Sequence, residues 1–247
     1  MTDIFTLSDG AVDRYADILT NVAQALTAGD VRLAEEQLEP VVDDVWMGRL
    51  AFHAAPGIGA ELRTSRAVSE RKRAQVLTRD GFICTYCGGR TIPRCILVAI
   101  SDVFPHFAYD PHYGRGRIHP AFWALAPEVD HVIAHSGGGT SELTNLTTLH
   151  TFCNAQKSDS ITTDLPTIEP VSEIADWDGL VPHYPYMVDA GNSQGHRHSA
   201  ARYHSRWLRN FNLQSLGPIV NPSATVQSDA SAPLPTVPDR ASCQQRS

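Results

Sequence analysis

The hydrophobic positions of the first fifty residues recur every three or four places, which is the spacing of amphipathic α-helices. The pattern predicts one helix over 12–26 with Ser8 as its N-cap, a second over 31–40 and a third over 41–50. We interpret this region as a small helical bundle whose apolar faces pack together. Residues 53–60, which contain glycine, proline and alanine, are typical of a linker.

The rest of the chain has a more varied pattern. A short basic helix is predicted over 66–80, and the apolar run 96–100 is expected to form a buried strand. The stretch 101–127 is rich in aromatic and turn residues and fits no single element. A further helix is predicted over 201–214. The tail 221–247 is too poor in apolar residues to offset the entropy cost of ordering, so we expect it to be disordered.

The predicted C-terminal helix has two distinct faces. Its aromatic residues recur every four positions and share one face: Tyr203, Trp207 and Phe211. Its arginines line an adjacent face: Arg202, Arg206 and Arg209. We expect the aromatic face to pack against the core, which would leave the arginines able to contact phosphate groups.

The composition is that of an ordinary folded protein. The chain has 247 residues, of which 42% are hydrophobic and 19% charged, and this excludes a mainly disordered, collagen-like or coiled-coil chain. No apolar run approaches the roughly 18–20 residues of a membrane span. The N-terminus lacks a basic region followed by an apolar core. We therefore expect a cytoplasmic protein with no membrane partner.

The charge is unevenly distributed along the chain. The net charge is −7, which by itself argues mildly against a nucleic-acid partner. Residues 1–50 contribute ten acidic and three basic side chains, whereas residues 61–95 carry a net charge of +5 and residues 191–220 a net charge of +4. An acidic protein with such basic stretches can still contact phosphates.

Three cysteines and one histidine have the spacing of a metal site. Cys84 and Cys87 form a C-x-x-C turn, and His150 and Cys153 are three residues apart, as on one helical turn. Together they could supply four ligands to a structural Zn²⁺ ion. The alternative is that Cys84 and Cys87 are packed in the core or active in redox chemistry. The chain has five cysteines, so the full set cannot pair internally, and a reduced compartment favours the metal.

A second group of polar residues lies between the two ligand pairs. Asp130 and His131 are predicted on a strand, followed by a glycine-rich loop over 135–140, a return strand over 144–147 and a helix over 148–158. Glu128 is either a carboxylate close to this site or a solvated strand residue.

These residues together resemble the HNH endonuclease family. The matching pieces are Arg79-Asp80-Gly81-Phe82-x-Cys84-x-x-Cys87-Gly88, Asp130-His131, Asn145-Leu146 and Cys153-Asn154-x-x-Lys157. The resemblance covers roughly residues 70–160, and the joint match is far more specific than any one piece. The chain departs from the family pattern at His150, where cysteine is usual, and in the long stretch between Cys87 and Asp130.

The resemblance implies a role for each matching residue. His131 would be the general base that activates water, and Asn145 would orient it. Asp130 and Asn154 would hold one divalent cation, Mg²⁺ or Mn²⁺. Lys157 would face the phosphate backbone. Further nucleic-acid contacts are expected from the two basic helices: Arg71, Lys72, Arg73, Arg202 and Arg206.

The predicted fold class is α+β, with a zinc-stapled ββα-metal core. We expect a helical region over 1–52, a nuclease core over 66–165 with an insertion over 96–127, and an extension over 166–215. The expected activity is metal-dependent hydrolysis of DNA in a restriction, phage or mobile-element setting. An RNA-cleaving nuclease and a non-catalytic zinc-binding DNA module are the alternatives, and a homodimer is compatible with the sequence.

Overall fold

The computed structural model describes most of the chain up to residue 216. The described ranges are 10–44, 68–107, 119–134, 137–157, 176–196 and 198–216. All of them lie in one unit of the chain, Met1–Gly217. The predicted linker 53–60 and the predicted disordered tail 221–247 lie outside the described residues.

The two N-terminal helices pack on each other, as the hydrophobic spacing predicts. Helix α1 spans Ala11–Thr27 and α2 spans Val31–Val42. The N-cap of α1 is Gly10 and not Ser8, and Pro40 lies inside α2 and does not end it. Of the predicted third helix, Val41 belongs to α2, and residues 45–50 lie outside the described part of the chain.

Helix α3 carries the basic residues that follow the linker. It spans Glu70–Arg79, and the side chain of Ser69 caps it by accepting a hydrogen bond from the backbone N–H of Lys72. The helix is therefore shorter at its start than the predicted 66–80. The chain then turns sharply through Gly81 and Phe82, which both have positive φ. A short bridge between Ile83 and Arg90 closes the following loop.

The prediction of a buried strand over 96–100 is wrong. These residues lie in helix α4, which spans Arg94–Val103, and every residue from 95 to 100 is buried. An unbroken apolar run fits a helix buried on all sides as well as a buried strand, and its β-branched residues favoured the wrong alternative. Part of the unassigned stretch 101–127 forms α5, Pro120–Leu125, all of whose residues are buried.

A two-stranded hairpin and a short helix follow α5. Strand β1 spans Pro127–His131 and pairs antiparallel with β2, Leu146–His150. The return strand thus begins two residues later than predicted, because residues 143–145 form a 3₁₀ turn. Helix α6 spans Thr151–Lys157, so His150 is the last residue of a strand and does not lie on the helix as predicted.

Two further helices complete the described chain. Helix α7 spans Tyr184–Ser193, and α8 spans Tyr203–Asn210, shorter at both ends than the predicted 201–214. The hydroxyl of Tyr184 lies 2.7 Å from His204 Nδ1, and His204 Nε2 lies 2.7 Å from a carboxylate oxygen of Asp102. These contacts join α8 to α7 and α4.

The predicted α+β fold is confirmed, and in the described part of the chain the buried hydrophobic residues form three clusters. The largest cluster lies between α1, α2, α4, α5 and α7, and the aromatic face of α8 packs against it as predicted. A second cluster joins α3 to the hairpin through Val76, Leu77, Val129 and Leu146. A third surrounds Cys84, Leu149 and Cys153. None of the helices in the described ranges has the length and apolar character needed to cross a membrane.

Candidate metal centre and active-site loop

The four predicted metal ligands come together in the structure. The ligand atoms of Cys84, Cys87, His150 and Cys153 all lie within 4.8 Å of one another. Cys84, His150 and Cys153 are buried, and Cys87 is half-buried. They come from three pieces of chain: the loop after α3, the end of β2 and the first turn of α6. The cluster therefore fastens that loop to the hairpin and the helix.

The histidine of this cluster is oriented by backbone groups. His150 Nε2 lies 2.9 Å from the carbonyl oxygen of Arg90, so this nitrogen carries the proton and donates it. Its other ring nitrogen, Nδ1, lies 3.2 Å from Cys87 Sγ and 3.9 Å from Cys153 Sγ. Nδ1 thus faces the sulfur atoms, and it is the nitrogen that would bind a metal once it has lost its proton.

The electrostatics of the cluster couple its cysteine and histidine side chains. Hydrogen bonds from Cys153 and Cys87 hold the pKa of Cys84 far below its usual range, which stabilises the thiolate. Burial alone would lower the pKa of His150, but hydrogen bonds and charge interactions with Cys84 and Cys87 raise it to about 10, so without a metal the ring is protonated beside that thiolate. Hydrogen bonds with Cys84 and Cys87 also raise the pKa of Cys153 well above its usual range. A metal would take the place of these protons, and the donor set fits a tetrahedral metal ion.

The backbone beside the cluster has no room for a side chain. A Cβ atom at Gly89 would lie 3.0 Å from Cε1 of His150 and 3.3 Å from Sγ of Cys87. Glycine at this position therefore lets the loop approach the ligands closely.

A separate group of residues organises the loop between the two strands. The side-chain oxygen of Asn145 accepts a hydrogen bond from the backbone N–H of Ile133 at 2.8 Å. Its amide nitrogen donates to the carbonyl oxygens of Ile133 at 3.1 Å and Thr140 at 2.8 Å. A single side chain thus holds both ends of the glycine-rich loop together.

His131 lies at the end of β1, where this loop begins. Its side chain is largely buried, with 8% exposure. His131 Nε2 forms a 3.1 Å hydrogen bond with the hydroxyl of Ser141, and the carbonyl oxygen of Ser141 accepts a 2.7 Å hydrogen bond from Lys72. The ring is therefore held by the far end of the same loop, which is itself tied to α3.

This strand, loop, strand and helix coincide with a known domain. Residues 121–160 match the family model described as HNH endonuclease. The chain contains an HNH endonuclease domain. No curated protein and no solved structure matches the chain. The match covers both strands of the hairpin, Asp130, His131 and half of the cysteine–histidine cluster, whereas Cys84 and Cys87 lie upstream of it.

The other predicted catalytic residues of the HNH domain lie on neighbouring elements. Asp130 is on β1, opposite Thr147 of β2, and its side chain is half-buried. Asn154 is half-buried on α6, directly after the cluster ligand Cys153, and α6 packs against both strands. Lys157 is the last residue of α6, and its side chain lies outside what the structure describes.

The predicted nucleic-acid contacts divide into two groups. The side chains of Arg71 and Arg202 are exposed. Lys72, Arg73 and Arg206 already make contacts within the protein, although Arg206 is also exposed: Lys72 with Ser141, Arg73 with Glu128 at 2.9 Å, and Arg206 with Glu70 at 3.2 Å.

Two residues that bear on the site are not among the predicted site residues. Glu128 is a half-buried residue of β1 and not a fully solvated one, and its carboxylate pairs with Arg73 and, at 2.7 Å, with Arg94. Ser141 contacts the candidate base directly. The only sequence signal for Ser141 is its position at the end of the glycine-rich loop, and that signal is weak.

Proposed function

We propose that this protein is a metal-dependent HNH endonuclease that hydrolyses DNA phosphodiester bonds. The observation that carries the proposal is the glycine-rich loop of the HNH domain, whose two ends are held together by the side chain of Asn145. Asn145 bonds to both ends of the loop, and His131 lies where the loop leaves β1. A fixed imidazole at the mouth of a loop is the arrangement that general-base catalysis needs.

His131 takes a proton from the attacking water in this mechanism. A neutral imidazole near physiological pH suits that step, because it has one basic nitrogen. Asn145 acts on the backbone of the loop, since its side chain forms hydrogen bonds with Ile133 and Thr140. Its role is therefore to keep the loop, and with it the imidazole, in place for the reaction.

Two different metals are proposed for two different donor sets. Asp130 and Asn154 offer oxygen ligands, which suit Mg²⁺ or Mn²⁺, and such an ion would neutralise charge on the phosphate and the leaving oxygen. The sulfur and imidazole ligands at the cysteine–histidine cluster suit a structural Zn²⁺ ion. Reduced thiols are needed there, which agrees with a cytoplasmic setting.

The substrate is proposed to contact the basic helices. Arg71 on α3 and Arg202 beside α8 are exposed, and Lys157 ends α6. Lys72 adds positive charge beside α3, and Arg73 and Arg206 add less because they pair with Glu128 and Glu70. Their combined charge would attract the phosphate backbone, although the chain as a whole is acidic.

The decisive test is replacement of His131. We expect His131→Ala to abolish cleavage of long DNA in Mg²⁺, while zinc content and far-UV circular dichroism stay unchanged. The matched control is His196→Ala, which removes an exposed histidine outside the HNH domain and should cleave normally. Undiminished cleavage by His131→Ala would refute the proposed mechanism.

Two further assays separate the proposal from its alternatives. Incubation with DNA and RNA in parallel identifies the polymer that is cut, and binding without cleavage of either would point to a zinc-binding module. Sequencing the cut ends then tests the proposed restriction, phage or mobile-element role. Fixed ends indicate a site-specific enzyme, and scattered ends a nonspecific one.

A further inference from the structure

A pocket beside the HNH loop lies between α3, the start of α4, β1 and α8. Its volume is about 410 Å³, which lies within the roughly 300–1,000 Å³ of sites that bind small ligands. Neither the candidate general base nor the candidate metal ligands line it. Its lining combines charged side chains with aromatic ones: Arg73, Arg94, Glu128, Tyr203 and Trp207.

Two arginines hold one carboxylate in this pocket. Arg73 donates a hydrogen bond to Glu128 Oε2 at 2.9 Å, and Arg94 donates one to Glu128 Oε1 at 2.7 Å. A guanidinium group therefore flanks the carboxylate on each side. Each carboxylate oxygen has two lone pairs, so each can accept a second hydrogen bond from a ligand. Arg73 and the two oxygens thus form a row of one donor followed by two acceptors.

Trp207 gives the pocket a flat aromatic surface. Its ring stacks on Phe211, with 5.8 Å between the ring centroids and 27° between the planes, and both rings pack against the main hydrophobic cluster. The indole is therefore held in place before any ligand arrives. Unpaired bases bind such preformed aromatic surfaces by stacking, whatever their sequence.

The charges in the pocket suit a nucleobase better than a phosphate group. The lining contains two arginines and two glutamates, Glu70 and Glu128, so its positive charge is balanced. A phosphate would meet two carboxylates there. A base is neutral and carries donors and acceptors side by side, which is what the paired arginines and carboxylate can satisfy.

We propose that this pocket binds an unstacked guanine of the DNA substrate. The inference rests on the proposed DNA substrate. The Watson–Crick edge of guanine presents the acceptor O6 and then the donors N1–H and N2–H, which is the complement of the row formed by Arg73 and Glu128. The other three DNA bases lack two adjacent donors on this edge. Trp207 stacks on the face of the same base.

The pocket is close to the candidate active site along β1. Glu128 and Asp130 are two positions apart on this strand, so their side chains leave the same face about 7 Å apart. Each nucleotide of a DNA strand advances about 3.4 Å, so this separation corresponds to about two nucleotides. Arg73 also follows Lys72, which anchors the carbonyl of Ser141 at the end of the HNH loop. A bound guanine would therefore hold its strand beside the proposed metal ligand.

The test measures binding of short single strands to the full-length protein as purified, without added Mg²⁺, so that no strand is cut. Fluorescence anisotropy gives the Kd of three labelled strands of thymidines that differ only at the central base, which is thymine, guanine or hypoxanthine. Hypoxanthine keeps O6 and N1–H of guanine but lacks its amino group, so this comparison needs no change in the protein.

We expect the guanine strand to bind about ten- to a hundredfold more tightly than the thymine strand, as a good bidentate contact to a base provides. The hypoxanthine strand should lose most of this preference. Glu128→Gln should lose it too, because an amide has only one acceptor oxygen. Far-UV circular dichroism confirms that this variant and those below are folded.

The aromatic surface is tested separately. Trp207→Leu should weaken binding of the guanine strand by about tenfold or more, and Trp207→Phe, which keeps an aromatic ring, should restore most of the affinity. The matched control is Tyr186→Leu, which removes an exposed aromatic ring of α7 outside the pocket and should bind as wild type does.

Three results would overturn the inference. One is equal affinity of the wild-type protein for the three strands. Another is a Glu128→Gln variant that binds every strand more tightly and keeps its preference, because the arginines would then hold phosphates that the carboxylate repels. The third is unchanged affinity of Trp207→Leu. Failure of the proposed function is distinct, since it would appear as continued cleavage by His131→Ala.

Discussion

Loss of one ligand of the cysteine–histidine cluster should destabilise the whole protein. The change is Cys87→Ala, which removes the half-buried sulfur that lies 3.2 Å from His150 Nδ1. We expect this contact to have a large effect on stability, because Cys87 and His150 are 63 positions apart in the sequence. A metal bound between them acts as a cross-link between distant parts of the chain.

The size of the effect follows from the coupling of metal binding to folding. A structural Zn²⁺ ion bound only by the folded site contributes its binding free energy to stability, and loss of one of four ligands forfeits a large part of it. This compares with a total unfolding free energy of about 5–15 kcal/mol for a typical domain. We therefore expect Cys87→Ala to lower the free energy of unfolding by about 4–5 kcal/mol, a loss of the size that removal of a metal site produces, and to bind less than one equivalent of zinc.

The assay is urea unfolding followed by far-UV circular dichroism, with and without a chelator. The matched control is Cys95→Ala, since Cys95 is also buried but lies in the main core and outside the cluster. It should lose only about 1 kcal/mol, as ordinary substitutions do. It should also keep its zinc and remain sensitive to the chelator, whereas Cys87→Ala should be insensitive.

Two results would refute this reasoning. If the chelator destabilised Cys87→Ala as much as wild type, the metal would be held elsewhere. If Cys87→Ala and Cys95→Ala were equally destabilised and equally rich in zinc, the cluster would be a packing feature and not a metal site.

Three further predictions concern the surroundings of the site. Burial lowers the pKa of His119, whose Nε2 contacts the carbonyl of Val41, so folding favours the neutral ring. Its contribution to stability is complete above a pH of about 6.5 and is lost as the pH falls through the lower folded pKa. His119→Asn should therefore flatten the pH dependence of urea unfolding below pH ~6.5, and parallel curves for both proteins would contradict this. Arg90→Met removes two ion pairs with aspartates of α1 and should lower the unfolding free energy by about 1–2 kcal/mol in the same assay; no change would mean that these pairs are not formed in solution. Asn145→Ala should accelerate hydrogen exchange at the amide of Ile133, which donates to Asn145, and unchanged exchange would show that the clamp does not order the loop.

Local patterns in the sequence were sufficient to predict several of the helices. The spacing of apolar residues predicted α1 and α2 to within a few residues, because a helix that packs on one side must repeat every three to four positions. The same argument placed the aromatic face of α8 against the core. Where burial is complete, as in α4, this periodicity is lost. For this reason residues 96–100 were predicted as a strand, although they form part of a helix.

The candidate metal ligands were also predictable from the sequence. Cysteine and histidine have few other uses at such spacing, so residue type and separation identified all four members of the cluster. The structure corrected the predicted secondary structure of one of them, His150. His150 ends β2, and its orientation comes from the carbonyl of Arg90, a contact between residues 60 positions apart.

Sequence alone thus identified the four members of the cysteine–histidine cluster, because ligand types and their spacing are local properties of the chain. Tertiary structure decided how those residues are held. The anchoring of Ser141 by Lys72 and the pairing of Glu128 with two arginines both depend on where distant segments pack. Hydrogen bonds of this kind leave no periodic trace in a sequence, since any polar residue brought to the right place can form them.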